Sequence, residues 1–280
     1  MKMTISERIV RKASVMRRKL IGNVRGHTRI KFVGQKVKFA KGSHIPEGEF
    51  SLPKHTFRNR IVRDADFIQQ LALAAFFESD LTAKVFVDVG AFHGYYAIPL
   101  GSLLEQRGGS VIAVEPDPNS MALLEQSVRL NALHNIVTCV SAAVSDRPGR
   151  MSLNQASSRT SLDCAGKTNG IDVDVLTLKQ ILEEQSIKKV DCVMIDVEGA
   201  ELRVLQGTPL LVLQNTEMFV EMHPYAWADF GYTPQEFDDW LSDHDLVCID
   251  MFHRIHRRFA EDPWAPQYIG PTKLVHRSRL

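Results

Sequence analysis

Short apolar runs alternate with amphipathic stretches from about residue 60 to the end of this 280-residue sequence. The run Val85–Val89 is almost continuously apolar and β-branched, which is typical of a strand buried on both faces of a parallel sheet. Further runs predict strands at Val111–Val114, Ile136–Val140, Val190–Ile195, Thr216–Met222, Leu246–Phe252 and about Tyr268–Val275. Helical spacing predicts helices at Asp64–Glu78, Tyr95–Glu105, the stretch after Asp117, Thr177–Glu184, Glu198–Leu213 and Thr233–Asp243. The alternation predicts an α/β fold with a mostly parallel, seven-stranded sheet and helices on both faces.

A polar stretch interrupts this alternation in the middle of the chain. Asn154–Gly170 is rich in Ser, Thr, Asn and Gly, and it predicts a loop. Two shorter pieces, Arg150–Leu153 and Ile171–Val175, flank the stretch, and we expect them to form edge strands.

The N-terminal part of the chain differs in charge from the rest. Residues 1–41 hold thirteen lysines and arginines and one acid, Glu7, although the whole chain has a net charge of only +1. We therefore divide the chain into a basic N-terminal extension, residues 1–60, and a main domain, residues 61–280. The apolar positions Ile5, Ile9, Ala13, Met16 and Leu20 share one face of a predicted helix.

The basic amphipathic helix allows three interpretations. It contacts an anionic membrane surface, it packs its apolar face on the main domain, or it is a transit peptide. Nucleic-acid binding is not favoured, because the extension has few aromatic residues to stack on bases. No window of about 18 consecutive apolar residues occurs, and no Cys-x-x-Cys spacing occurs among the four cysteines. We therefore expect a cytoplasmic protein, with peripheral membrane contact left open.

The strand Val85–Val89 leads into a glycine-containing turn that opens a helix. Gly90 and Gly94 allow a sharp turn and a close approach of backbone to ligand. Glu115 ends the next predicted strand, 21 residues after Gly94, and a carboxylate there accepts hydrogen bonds from both hydroxyls of a ribose. The turn and the carboxylate together predict a cofactor that contains adenosine. The candidate cofactor-binding residues are Asp88, Gly90, Ala91, Phe92, Gly94, Glu115, Ser141, Ala143 and Asp196.

Two classes of adenosine cofactor fit this pattern, nicotinamide dinucleotides and S-adenosylmethionine. A pyrophosphate favours several glycines at a helix N-terminus, as in Gly-x-Gly-x-x-Gly. Here the spacing is Gly-x-x-x-Gly, with Ala91, Phe92 and His93 between the glycines. The methionine part of S-adenosylmethionine carries no phosphate, so the turn favours this cofactor.

Five ordered sequence blocks resemble the FkbM-type methyltransferases over roughly residues 60–225. These blocks are Asp88–Tyr96, Val114–Pro118, Ala143–Asp146, Ile195–Leu202 and Glu221–Pro224. The resemblance implies a class I, Rossmann-like S-adenosylmethionine-dependent methyltransferase that acts on oxygen, often a hydroxyl of a sugar, glycolipid or polyketide. One position departs from the family, which commonly has Asn two residues after the first glycine, where this chain has Phe92.

Methyl transfer to a hydroxyl requires in-line geometry and removal of one proton. We predict His223, at the end of the fifth strand, as the general base or as the group that orients the hydroxyl. Asp196, Glu198 and Glu221 complete the predicted catalytic set. Three converging carboxylates need a positive partner, which is the sulfonium, a substrate amine or a divalent cation. We predict no metal ligands. In the alternative in which Glu198 only caps the next helix, Glu201 points away from this set.

Two other functions stay open at this point. An NAD-dependent oxidoreductase would need the Gly90 turn to hold a pyrophosphate without the usual glycines. A non-catalytic cofactor-binding or membrane-associated partner protein is suggested only by Phe92, whereas Asp196, Glu198 and His223 argue against it.

Overall fold

The computed structural model describes residues 36–38, 49–51, 84–154, 161–163, 170–249, 255, 258–261 and 270–280. The predicted amphipathic helix of the extension and the predicted helix Asp64–Glu78 lie outside these residues. The extension contributes one described feature, an antiparallel pair of three-residue strands. Among the described residues, no helix is long and apolar enough to cross a bilayer.

The described strands form three sheets. In chain order they are β1 (Lys36–Lys38), β2 (Glu49–Ser51), β3 (Val85–Val89), β4 (Ser110–Val114), β5 (Val137–Val140), β6 (Ala143–Val144), β7 (Gly149–Asn154), β8 (Ser161–Asp163), β9 (Ile171–Leu176), β10 (Cys192–Ile195), β11 (Glu217–Met222), β12 (Leu246–Ile249) and β13 (Gly270–His276). The central sheet has seven strands in the order β12-β13-β11-β10-β3-β4-β5. β13 pairs antiparallel with both β11 and β12, and the other neighbouring strands pair in parallel, so the prediction of a mostly parallel, seven-stranded sheet is confirmed.

Six described α-helices connect these strands. They are α1 (Ala97–Glu105), α2 (Pro118–Leu130), α3 (Leu178–Glu184), α4 (Glu201–Gln206), α5 (Leu210–Asn215) and α6 (Pro234–Asp243). The local sequence explains where two of these helices begin. The Asp117 side chain accepts a hydrogen bond from the Asn119 N–H and caps α2, as predicted, and Thr177 forms a capping box with Gln180 at α3.

Apolar residues on alternate positions of each strand build two cores, one on each face of the central sheet. Phe86 faces the core that includes Ile98 and Leu100 of α1. Val87 and Val89 face the other core, which includes Leu178 of α3. Successive strand residues point to opposite faces, so a continuous apolar run places apolar side chains on both faces of the sheet. Helices cover both faces, as these runs predict.

Two local predictions are wrong. The sequence predicts one helix over Glu198–Leu213, but α4 and α5 are separated by residues 207–209. A side chain at Gly207 would collide with the Ser145 carbonyl, and Pro209 has no N–H to continue a helix. The polar stretch Asn154–Gly170, predicted as a loop, contains strand β8, which pairs with β7 in a second sheet of order β6-β9-β7-β8.

Candidate active site

The carboxyl edge of the central sheet contains the point at which strand order reverses. From β3 the chain moves outward to β4 and β5, and it later returns to the other side of β3 with β10. Gly90 and Asp196 directly follow β3 and β10 at this crevice. Ligands bind at such crevices in open α/β sheets, because the loops that leave the two neighbouring strands diverge there.

Gly90 lies in a turn that only glycine can occupy. Its φ is +86°, and its N–H donates to the Val114 carbonyl at 2.9 Å. A Cβ at this position would collide with the carbonyl oxygen of Asp196. The turn ends at Gly94, whose φ is +89° and whose added Cβ would lie 2.7 Å from Ile98. Gly90 therefore lets the backbones of the two loops pack together at the reversal point, and Gly94 lets the turn pack against apolar side chains of the following helices.

Glu115 links the end of β4 to this turn. Its carboxylate accepts the Phe92 N–H at 2.7 Å and the Asp117 N–H at 2.8 Å, one on each oxygen. Burial raises the pKa of Glu115 to about 7, although these two hydrogen bonds favour the ionised form. Each oxygen keeps a further acceptor position, as a ribose diol requires. The geometry fits the predicted role of Glu115, and it also fixes Phe92 beside it.

Asp88 is completely buried at the end of β3. Neither of its carboxylate oxygens has a hydrogen-bond partner among the described residues. Burial raises the pKa of Asp88 to about 7, and the nearby Ala97 N–H of α1 offsets this only in part. A carboxylate buried in this way is costly to ionise, so Asp88 favours its protonated form more than an exposed Asp does.

The other predicted cofactor residues lie in three different places: the turn, the carboxyl edge of the central sheet and the second sheet. Ala91 is buried inside the turn, where its N–H donates to the Val114 carbonyl at 3.0 Å. Ser141 directly follows β5 and is exposed at the carboxyl edge. Ala143 belongs to β6, and its side chain packs with Leu153 and Val175 in the core of the second sheet.

The predicted catalytic residues converge around one imidazole. His223 follows β11, is 2% exposed, and directs its Nε2 atom toward three carboxylates. The distances are 3.8 Å to Asp196 Oδ1, 3.7 Å to Glu198 Oε2 and 3.9 Å to Glu221 Oε1. These distances are too long for hydrogen bonds. One ligand atom each of Asp196, Glu221 and His223 lie within 4.8 Å of one another. The sequence therefore predicts the members of this cluster correctly as neighbours.

Glu201 is the residue that the sequence reasoning missed. The alternative in which it points away from the cluster is wrong, because it is fully buried and accepts the His223 Nδ1 hydrogen bond at 2.7 Å. Trp227 Nε1 and the Gly199 N–H also donate to its carboxylate, at 2.7 and 2.9 Å. Glu198 and Gly199 have positive φ values, so the chain turns before α4 begins and carries Glu201 inward. The only sequence signal was the glycine of that turn.

The charges around His223 determine its protonation. Burial alone would lower the pKa of His223, but the Glu201 hydrogen bond and the charges of Glu201, Asp196 and Glu198 outweigh it and raise the pKa to about 9. Burial and the Glu221 carboxylate raise the pKa of Asp196. While no cation occupies the cluster, a protonated His223 supplies the positive charge that the converging carboxylates require, and a cation bound at Nε2 would take the place of that proton.

Two tyrosines border the cluster, and the sequence reasoning assigned a role to neither. The Tyr225 hydroxyl donates to Glu198 Oε2 at 2.9 Å, and its exposed ring lies edge-on to His223. Tyr96 is 5% exposed, and its hydroxyl has no hydrogen-bond partner among the described residues. Burial, followed by the Asp196 and Glu221 charges, raises the pKa of Tyr96 well above its usual value.

Several solved methyltransferases resemble this chain. The methyltransferase FkbM from Methylobacillus flagellatus is 15% identical, with a TM-score of 0.46 over 69% of this chain and 44% of that one. The chain therefore spans less than half of that protein. The O-methyltransferase from Bacillus cereus in complex with SAH is 11% identical, with a TM-score of 0.40 over 76% of this chain and 80% of that one. The N-terminal domain of human METTL16 is 15% identical, with a TM-score of 0.40 over 78% and 72%.

No curated protein matches the chain. The family comparison is specific in contrast. The Methyltransferase FkbM domain matches residues 88–247, more than half of the sequence, and this range contains the turn, Glu115 and the whole cluster around His223. The chain belongs to the FkbM methyltransferase family.

Proposed function

We propose that this methyltransferase uses S-adenosylmethionine to methylate a hydroxyl oxygen of a sugar, a glycolipid or another small molecule. The observation that carries the proposal is the cluster of Asp196, Glu198, Glu221 and His223 at the carboxyl edge, next to the Gly90 turn. A hydroxyl is a weak nucleophile until its proton is removed, so a group of proton acceptors beside the cofactor crevice suits oxygen methylation.

The chain's own residues divide the work of binding and proton transfer. The Gly90 turn would let the cofactor approach the protein backbone closely, and Glu115 would accept hydrogen bonds from the ribose hydroxyls. When bound, S-adenosylmethionine supplies a sulfonium methyl group. Glu201 holds the His223 ring by its Nδ1 atom, so that Nε2 points into the carboxylate cluster. A carboxylate of the cluster would receive the hydroxyl proton as the bond from oxygen to the methyl carbon forms and the bond from that carbon to sulfur breaks, which leaves S-adenosylhomocysteine; positioning provides much of the acceleration.

The remaining alternatives receive less support. An NAD-dependent oxidoreductase would need several free N–H groups for a pyrophosphate, but the N–H groups of Gly90, Ala91 and Phe92 donate within the protein. A non-catalytic protein would not need a buried Glu201–His223 pair beside the crevice.

Two measurements on the purified protein test the proposal. Calorimetric titration should show that the protein binds S-adenosylhomocysteine and does not bind NAD. Incubation with methyl-labelled S-adenosylmethionine and a panel of hydroxylated glycosides should give a product whose methyl group is on oxygen by mass spectrometry. His223→Asn should reduce this transfer by at least tenfold. The matched control is His134→Asn, because His134 is exposed and precedes β5 at the opposite edge of the sheet. An N-methylated product, or NAD binding alone, would contradict the proposal.

We also propose that the basic extension brings the enzyme to anionic membranes, where a glycolipid acceptor resides. The support is its excess of twelve positive charges within residues 1–41. Flotation of the full chain with phosphatidylglycerol vesicles at low salt should recover the protein with the vesicles. Replacing Arg17, Arg18 and Lys19 by Gln should reduce the recovery, and absence of any flotation would rule out this role.

A further inference from the structure

We infer that Asp196, Glu221 and His223 form a binding site for one divalent first-row cation such as Mn²⁺. The geometry of these three side chains is what favours a bound cation. Its role rests on the proposed function, because a cation at this place would hold the acceptor oxygen beside the cofactor crevice.

The distances from His223 to the two carboxylates fit ligands of one shared cation. Nε2 of His223 lies 3.8 Å from Asp196 Oδ1 and 3.9 Å from Glu221 Oε1. Two atoms that each lie about 2.1 Å from a cation are separated by about 3.0 to 4.2 Å, depending on the angle between them. The three ligand atoms come from the ends of the adjacent strands β10 and β11, so a rigid sheet fixes their separation.

The histidine is oriented as metal-ligating histidines are. Its Nδ1 atom is bonded to the buried carboxylate of Glu201 at 2.7 Å, which directs Nε2 into the cluster. Ligating histidines almost always make such a hydrogen bond through the second ring nitrogen. Glu201 is itself held by Trp227 and by the Gly199 N–H, so the ring cannot turn away without breaking a buried network.

A second and independent feature points to a ligand at this place. The buried hydroxyl of Tyr96 has no hydrogen-bond partner among the residues that the structure describes. It lies close enough to Asp196 and Glu221 to sense the charges of both carboxylates. A buried hydroxyl without a partner is unfavourable, and water coordinated to a cation between these carboxylates would supply one.

The donor set indicates the class of cation. Two carboxylate oxygens and one imidazole nitrogen suit Mn²⁺ and similar first-row cations better than Mg²⁺, which takes mainly oxygen ligands. Three protein ligands leave positions for the acceptor oxygen. A hydroxyl bound there loses its proton more easily, and Glu198, at the border of the site, is placed to accept that proton.

Titration of the metal-stripped full chain with Mn²⁺ tests the inference. Free aqueous Mn²⁺ gives a six-line paramagnetic resonance spectrum that is lost on binding, so the number of sites and their affinity are read directly. We expect one site. Glu221→Gln and His223→Asn should each weaken it at least tenfold, and Glu201→Gln should weaken it about 10–100-fold. Spin-echo spectroscopy of bound Mn²⁺ should show nitrogen coupling that His223→Asn removes.

The matched control is Glu217→Gln, which makes the same substitution at the other end of β11, where Glu217 pairs with Lys273 at the surface. This variant should bind Mn²⁺ as the unmodified chain does. The inference fails if Mn²⁺ stays free at concentrations up to about 1 mM. It also fails if Glu217→Gln weakens binding as much as Glu221→Gln. Calorimetry with S-adenosylhomocysteine on the same metal-free samples tests the proposed function separately. The cation site and the proposed function can therefore be refuted independently of each other.

Discussion

Replacing Asp88 by Asn should change how the stability of the protein depends on pH. Asp88 is completely buried, and its carboxylate has no hydrogen-bond partner among the described residues. Burial raises its pKa from 3.8 to about 7. Asn has nearly the same shape but carries no charge at any pH, so the substitution removes the cost of ionising this side chain in the interior.

The direction follows from the protons that each state binds. Between pH 3.8 and about 7, the folded protein keeps the Asp88 proton whereas the unfolded chain has released it. The free energy of unfolding therefore falls as pH rises through this range, and above about pH 7 both states are ionised and the loss is complete. At 1.36 kcal/mol for each pKa unit, the loss between pH 5 and pH 8 is about 2–3 kcal/mol. The Asp88→Asn protein should not show this decrease in the free energy of unfolding.

Urea unfolding of both proteins, followed by circular dichroism at pH 5 and at pH 8, measures the effect. The stability of Asp88→Asn relative to the unmodified protein should rise by about 2–3 kcal/mol between the two pH values. Groups that do not interact with Asp88 contribute equally to both proteins and cancel, whereas Glu115, whose charge raises the pKa of Asp88, cancels only in part. Asp174→Asn is the control, because it makes the same substitution at an exposed position of β9 beside Arg150 and removes no buried carboxylate.

A pH-independent difference between Asp88→Asn and the unmodified protein would refute the reasoning. It would mean that the Asp88 carboxylate ionises in the folded state as easily as in the unfolded chain. In that case the crevice would solvate this carboxylate despite its burial.

Three further predictions concern the crevice and the cluster. Gly90→Ala should lower the melting temperature and weaken S-adenosylhomocysteine binding more than tenfold, because the added Cβ collides with the Asp196 carbonyl at a φ of +86°. Glu115→Gln should weaken the same binding about 10–100-fold by calorimetry, through loss of charge-assisted hydrogen bonds to the ribose. Glu201→Gln should lower kcat at least tenfold while S-adenosylhomocysteine binding changes less than threefold, since Glu201 acts through His223; equal losses in both would indicate general misfolding.

The sequence predicts most of the central sheet because its apolar runs are long and separated by clear helical periods. Val85–Val89 matches β3 residue for residue, and Asp117 caps α2 as expected. The break between α4 and α5 was not predicted, because it depends on the contact of Gly207 with the Ser145 carbonyl, 62 positions earlier. Such a contact leaves no periodic signal. β8 was missed for a related reason, since its three residues become a strand only by pairing with β7.

The candidate site shows the same division between local and distant causes. Residues at strand ends are predictable as neighbours because parallel strands present their carboxyl ends at one edge of the sheet, and Asp196, Glu221 and His223 meet in this way. Glu201 follows a different rule. Its direction depends on the left-handed turn at Glu198 and Gly199, and its burial depends on donors that lie 22, 26 and 31 residues later in the chain. Neither is visible in helical spacing.

Phe92 illustrates how a departure from a family pattern needs the backbone for its interpretation. Its φ is +48°, a left-handed conformation that Asn adopts more easily than Phe and that costs other residues about 1–2 kcal/mol. The Phe92 ring stacks on His93 with ring centroids 3.6 Å apart, which offsets part of that cost. Its N–H still donates to Glu115 at 2.7 Å, a contact that does not depend on the side chain. The departure therefore strains the turn but leaves the carboxylate that we assign to the ribose in place.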